Sequence, residues 1–164
     1  MSQGGGIVVD LVTLTPDDWR LWRALRLEAL REAPAAFGST LADWQGAGDQ
    51  EARWRQRLTS VPFNLVAQSG GKPAGMVSGL RSGENAELIS LWVAPFARGQ
   101  GVGDRLILAV VDWARAAGAP RIVLSVKQGN EPAARLYRRH GFAETGQSPE
   151  SEPGAPEDMF VKSL

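Results

Sequence analysis

The chain reads Arg98-Gly99-Gln100-Gly101-Val102-Gly103, with glycine at every second position of a short run. Missing Cβ atoms let a ligand approach the main chain, and where such a run opens a helix the first N–H groups lack an intrahelical acceptor. Oriented amides, the positive end of the helix dipole and the Arg98 guanidinium together make a cradle suited to a diphosphate. The spacing narrows what carries that diphosphate. A P-loop needs Lys followed by Ser or Thr after its glycines, and none follows here. The dinucleotide fingerprint Gly-x-Gly-x-x-Gly places its third glycine one residue later. It also needs an acid about twenty residues on, where this chain begins a strand with Arg121.

Cysteine is absent, which removes disulfides, thiolate nucleophiles, iron-sulfur clusters and the commonest structural zinc sites. His140 is the only histidine, so a multi-histidine metal centre cannot be built, and no metal site is expected. In Arg138-Arg139-His140-Gly141-Phe142 that ring reads as a cap at a helix end rather than a catalytic group. Eighteen basic and 18 acidic side chains cancel, so no bulk field draws the chain to nucleic acid or anionic lipid. The longest clean apolar run, Leu106 to Val111, is too short for export or for spanning a membrane, and a cytoplasmic location is expected.

The chemistry-bearing residues need a scaffold. A chain of 164 residues with 43% hydrophobic and 22% charged residues reads as one globular domain, 1–164, behind a flexible Gly-rich lead-in at residues 1–6. Ile7–Leu14 is a strand, and Thr15-Pro16-Asp17-Asp18 caps a helix running to about Arg31. An irregular stretch from Phe37 to Gly48 precedes a short helix over Asp49–Leu58. Asn64–Ser69 and Ala74–Leu80 pair as a hairpin around Gly70-Gly71-Lys72-Pro73, and Ala86–Val93 follows as a further strand. Val102, Leu106, Val110 and Trp113 form one buried stripe of a helix over Gly101–Ala117. Then come a strand at Arg121–Val126, a helix at Asn130–His140, a strand at Gly141–Thr145, a loop at Ser148–Pro156 and a closing strand at Met159–Leu164. The order predicts an α/β layer, a central sheet with helices on both faces.

Two segments carry a resemblance. SLWVAPFARGQGVGDRLI holds an Arg-x-x-Gly-x-Gly loop at Arg98, Gly101 and Gly103, and NEPAARLYRRHGF runs from Asn130 to Phe142. In this order, one helix and one strand apart, they resemble the cofactor motifs of the GNAT superfamily of N-acetyltransferases. The similarity is strong over Glu87–Phe142 and rests elsewhere on element order. It implies a single-domain fold with a mixed, mostly antiparallel sheet. Two parallel strands, Ala86–Val93 and Arg121–Val126, splay apart there to admit acetyl-CoA.

The resemblance further implies that the backbone of Leu91 and Val93 pairs with the pantetheine arm. Main-chain amides from Gly99 through Gln100, Gly101 and Val102 to Gly103, with Arg98, take the diphosphate. Asn130 contacts the pantetheine or simply caps its helix, and one side chain can do both. Tyr137, the only tyrosine, protonates the departing thiolate or packs as a core aromatic. Glu87 matches the glutamate base of some histone-type members, and an exposed strand-end acid is the alternative. Without cysteine the acyl group has no thiol to rest on, which favours direct attack by a primary amine in a ternary complex.

The acceptor is not legible. Trp44 and Phe37 are candidates to line an apolar pocket. Glu150, Glu152, Glu157 and Asp158 either attract a cationic amine or form a solvated acidic loop. A non-catalytic acyl-CoA sensor of the same fold and a nucleotide-dependent enzyme on the same glycine loop are the other readings. A homodimer is an arrangement the resemblance allows.

Overall fold

A computed structural model describes residues 7–37, 40–148 and 154–164. The expected flexible lead-in at 1–6, and Glu150 and Glu152 of the acidic loop, lie outside the described residues. Strand β1 (Asp10–Thr13) is shorter than the apolar run containing it. The Thr15 backbone donates to Asp18 Oδ2 at 2.8 Å while Thr15 Oγ1 accepts from the Asp17 N–H, a capping box that launches α1 (Trp19–Glu32). Three 3₁₀ turns, at Pro34–Ala36, Ala42–Trp44 and Gly46–Gly48, replace the irregular stretch and lead into α2 (Glu51–Ser60).

The hairpin β2 (Phe63–Ser69) and β3 (Lys72–Ser82) turns on Gly70 and Gly71 alone, both at positive φ. Lys72 and Pro73, expected in the turn, belong to β3. Pro73 stands opposite Gln68, beside a register shift where the ladder is already broken. There follow β4 (Asn85–Val93), α3 (Val102–Ala116), β5 (Arg121–Lys127), α4 (Glu131–Arg139), β6 (Ala143–Gln147) and β7 (Glu157–Ser163). The closing strand forms as expected and lies inside the sheet. The order is β1-β2-β3-β4-β5-β7-β6, so β7 lies between β5 and β6 and starts at Glu157 and Asp158. Those two acids are therefore strand residues, with Lys127 3.8 Å from Glu157 and Gln128 donating to Asp158 at 2.9 Å.

The sheet has helices on both faces. Val102, Leu106, Ile107 and Val110 of α3, with Tyr137 of α4, pack on one side against Ala86, Leu88 and Ile122. Trp22 and Leu25 of α1 and Trp54 and Leu58 of α2 pack on the other against Met76 and Trp92. All strand pairs are antiparallel except β4 with β5. That pairing holds only at Ala86↔Ile122 and Glu87↔Val123, after which the two strands part.

Strand β4 also carries an extra residue. Its register with β3 steps from Ser78↔Ile89 to Met76↔Trp92, and Ser90 in the gap has φ of 59°, the only non-glycine positive φ among the described residues. The bulge reverses the strand's alternation. Ala86 and Leu88 face the α3 side, yet Leu91 and Val93 also pack there while Trp92 buries on the α1 side.

Asp49 joins the two helices of that second face. Its carboxylate accepts from Arg23 Nε at 2.7 Å and Trp54 Nε1 at 2.8 Å, and forms an ion pair with Arg23 Nη2. The Arg23 hydrogen bond, then the Trp54 bond, holds its pKa down to about 2. A carboxyl whose folded pKa lies below its unfolded value of about 4 stabilises fully above that value and loses its contribution as pH falls through the folded one. Urea midpoints of the wild type and Asp49→Asn should therefore differ at pH 7, and the difference should shrink between about pH 4 and pH 2.

Candidate active site

Strand β4 ends at Val93, a 3₁₀ turn spans Pro95–Ala97, and the glycine loop then opens α3. Gly99 and Gly101 have φ of 73° and 82°, and a Cβ on either meets nothing within 4 Å. Glycine serves the backbone conformation there and leaves open space above it. Gly103 differs, since its Cβ would sit 3.3 Å from Leu136 Cδ2 and 3.6 Å from Val93 Cγ2. Its missing side chain lets α3 close on α4 and β4. The first bond into the helix is Arg105 N–H to the Gly101 carbonyl at 3.1 Å, and no side chain caps the end. Backbone N–H groups from Gly99 to Asp104 have no hydrogen-bond partner among the described residues. They border a cavity of about 460 Å³ between the loop, Val93, and Pro132, Leu136 and Arg139 of α4.

Three side chains of the loop have other engagements. Arg98 donates through Nε to the Val93 carbonyl at 3.0 Å, and its guanidinium is ion-paired with Glu32 at the end of α1. Glu32 also accepts from Trp92 Nε1 at 2.9 Å, and the Arg98 bond, then the Trp92 bond, lowers its pKa. Gln100 bends back to the Phe96 carbonyl at 3.0 Å, and Val102 is core. Asp104, on the first turn of α3, accepts from Arg139 at 2.7 Å and lies 2.6 Å from His140 Nε2. Burial alone would raise its pKa, but the bonds from Arg139 and His140 prevail and lower it. The histidine is the C-cap of α4, as its place before Gly141 predicts.

Ala94 N–H donates toward β3, to Ala74 at 2.8 Å, so by alternation the amides of Val93 and Leu91 face away from β3 toward the opening beside β5. Asn130 is the N-cap of α4, its Oδ1 accepting from Ala133 N–H at 3.4 Å. It borders a separate, smaller cavity of about 100 Å³. Tyr137 is 7% exposed, packed edge-on to Phe142 at 5.7 Å and tilted against Phe160 at 6.5 Å. Burial drives its phenol pKa well above the ordinary value, so the hydroxyl keeps its proton. It lines neither of the two large cavities.

The second large cavity, about 450 Å³, opens on the α1/α2 face. Residues Glu87 to Ser90 form its β4 wall, where that strand leaves β5, and Phe37 and Trp44 line it as expected. Two further lining residues, Arg26 and Arg57, escaped the sequence reading although a signal was there. On α1 the core stripe is Trp22, Leu25, Arg26, Ala29 and Leu30, and on α2 Arg57 stands beside Trp54 and Leu58, so each charge occupies a position that should be apolar.

Arg57 donates to Asn64 Oδ1 at 3.0 Å, Ser78 Oγ at 3.2 Å and Ser90 Oγ at 3.3 Å. Arg26 lies 4.7 Å over the Phe37 ring. Burial lowers both guanidinium pKa values to about 10, and Arg26 adds repulsion at Arg57.

The family model described as Acetyltransferase (GNAT) family matches residues 22–142. The chain belongs to this family. GNAT proteins are acyltransferases, and the match takes in the whole cavity at the glycine loop and all of the other cavity's lining except Ser148 and Glu157. A curated relative, streptothricin acetyltransferase of Streptomyces lavendulae, is 34% identical over 122 residues, 72% of this chain and 64% of that protein. Two other curated relatives are spanned over 43% and 40% of their lengths. A GNAT-family acetyltransferase structure from Streptococcus pneumoniae superposes with a TM-score of 0.77 at 20% identity, covering 96% of this chain and 99% of that one. The yncA protein of Salmonella typhimurium, solved with its cofactor acetyl-CoA, gives 0.76 at 21% identity over 96% and 94%. These likenesses establish the GNAT fold expected from the two motifs.

The bulge at Ser90 yields a prediction. A β-branched side chain tolerates positive φ poorly, so Ser90→Val should cost about 1–3 kcal/mol and lower the denaturant midpoint, while Ser90→Gly should cost less.

Proposed function

We propose that this GNAT protein transfers the acetyl group of acetyl-CoA to a primary amine by direct attack within a ternary complex. One observation carries the reading. Strand β4 has a free edge past Glu87 that runs from the cavity holding Glu87 to the row of unbonded amides at Gly99–Asp104. Edge amides and an uncapped helix start need partners, and the amide-bearing arm and diphosphate of one cosubstrate supply both. The cavity wall formed by the glycines, open above Gly99 and Gly101, fits such a group. Relatives named as acetyltransferases support the same reading and do not favour a non-catalytic acyl-CoA sensor.

In this reading the amides of Gly99, Gln100, Gly101, Val102 and Gly103 hold the diphosphate, with Arg98 at the rim. The Glu32 pairing fixes where the Arg98 charge stands. Leu91 and Val93 align the pantetheine through their backbone, and Asn130 adds a side-chain contact. Acetyl-CoA supplies a thioester already activated for acyl transfer. Glu87 takes a proton from the amine, directly or through water, because an ammonium cannot attack. Tyr137 gives its proton to the departing sulfur. Its burial keeps the phenol protonated and at the same time makes it a weaker acid than a free phenol.

Thiol release with a mixture of amines tests the assignment. Tyr137→Phe keeps the ring and removes the proton, so kcat should fall by about 10²-fold or more while acetyl-CoA still raises the melting temperature. Unchanged turnover would remove the acid role. A melting shift with acetyl-CoA but no turnover of any amine would favour the sensor.

A further inference from the structure

We propose that the amine acceptor is a small molecule bearing a carboxylate beside its reacting amine, an amino-acid-like acceptor whose carboxylate is held by Arg26 and Arg57. The inference rests on the acetyl-transfer reading for the amine, and on the cavity of the α1/α2 face for the carboxylate.

Arg26 is 9% exposed, and its Nη1 is buried with no hydrogen-bond partner among the described residues. Its guanidinium lies over the face of Phe37. Arg57 is held by neutral oxygens, those of Asn64, Ser78 and Ser90, which orient its fork without balancing its charge. Neither guanidinium forms an ion pair among the described residues. Two like charges thus line one cavity, Arg26 buried and Arg57 half-buried, each on a helix stripe otherwise filled by Trp, Leu and Ala. Such an arrangement is costly for folding, and a planar anion taken between the forks offsets it.

The remaining walls say what is attached to that anion. Phe37 and Trp44 offer an apolar surface to a side chain, and Glu87 stands at the β4 wall for the amine. About 450 Å³ suits a molecule of amino-acid size. Glu157 lines the cavity as well as Glu87, and a simple polyamine has no group for the arginines.

The test uses L-leucine, L-methionine and L-phenylalanine, each beside its amide and its carboxyl-free amine, with thiol release and melting temperature read in parallel. Acids should exceed their amides in kcat/KM by about 10²-fold, mainly through KM, and should raise the melting temperature when added alone. Arg26→Met should melt no lower than the wild type, because it removes a buried unbalanced charge. It should lose the acid-induced shift and bring the acid-to-amide ratio toward one. A purely structural arginine would instead lose stability and leave the ratio alone. Should the Met variant fail to fold, Arg26→Lys, which keeps a point charge but not the fork, should retain part of the shift.

Amides or bare amines acetylated as well as acids would overturn the carboxylate proposal while leaving acetyl transfer standing. An Arg26-dependent melting shift by acids with no turnover of any amine would uphold the anion pocket and remove acetyl transfer. The absence of both a melting shift and an acid preference would overturn the proposal.

Discussion

The structure depends on how soon one parallel pairing ends. β4 and β5 share only two paired positions, the second at Glu87, and the open edge of β4 begins there. Each strand is secured by its other neighbour, β4 by β3 and β5 by β7 along its whole length, so the parting costs no loss of sheet integrity. It does leave backbone groups without partners inside a protein, and a buried polar group without a partner is expensive. A ligand of matching hydrogen-bond pattern removes that cost.

The Ser90 bulge works with the parting. By reversing the alternation of β4 it buries Trp92 under α1, where its indole N–H meets Glu32, while Leu91 and Val93 turn toward the α3 core. Glu32 in turn holds Arg98, 66 positions along the chain. The glycine loop is thereby tied to the far end of the helix whose inner face carries Arg26. Ser90 itself accepts from Arg57. Strand β4 lends Glu87 to Ser90 to one cavity and Val93 to the other.

Local chemistry announced itself in the sequence and long-range pairing did not. The Thr15 cap, the α3 stripe, the glycine loop and the cap at His140 follow from residues within a few positions of one another, and they stand where the spacing puts them. The insertion of β7 between β5 and β6 is a topological choice that strand patterns leave open. The bulge is marked by no glycine, and Gly103 looks like its loop neighbours although it serves helix packing. Arg26 and Arg57 were visible as charges on apolar stripes. Their shared cavity became apparent only when α1 and α2 were laid on the same face of the sheet.

The central claim is that unbonded amides at the start of α3 grip the diphosphate of acetyl-CoA. Backbone amide resonances followed during an acetyl-CoA titration test it most directly. The account predicts the largest downfield movements at Gly99, Gly101 and Gly103, with smaller ones at Leu91 and Val93. Saturable binding that leaves those glycine amides in place and moves another surface would contradict it.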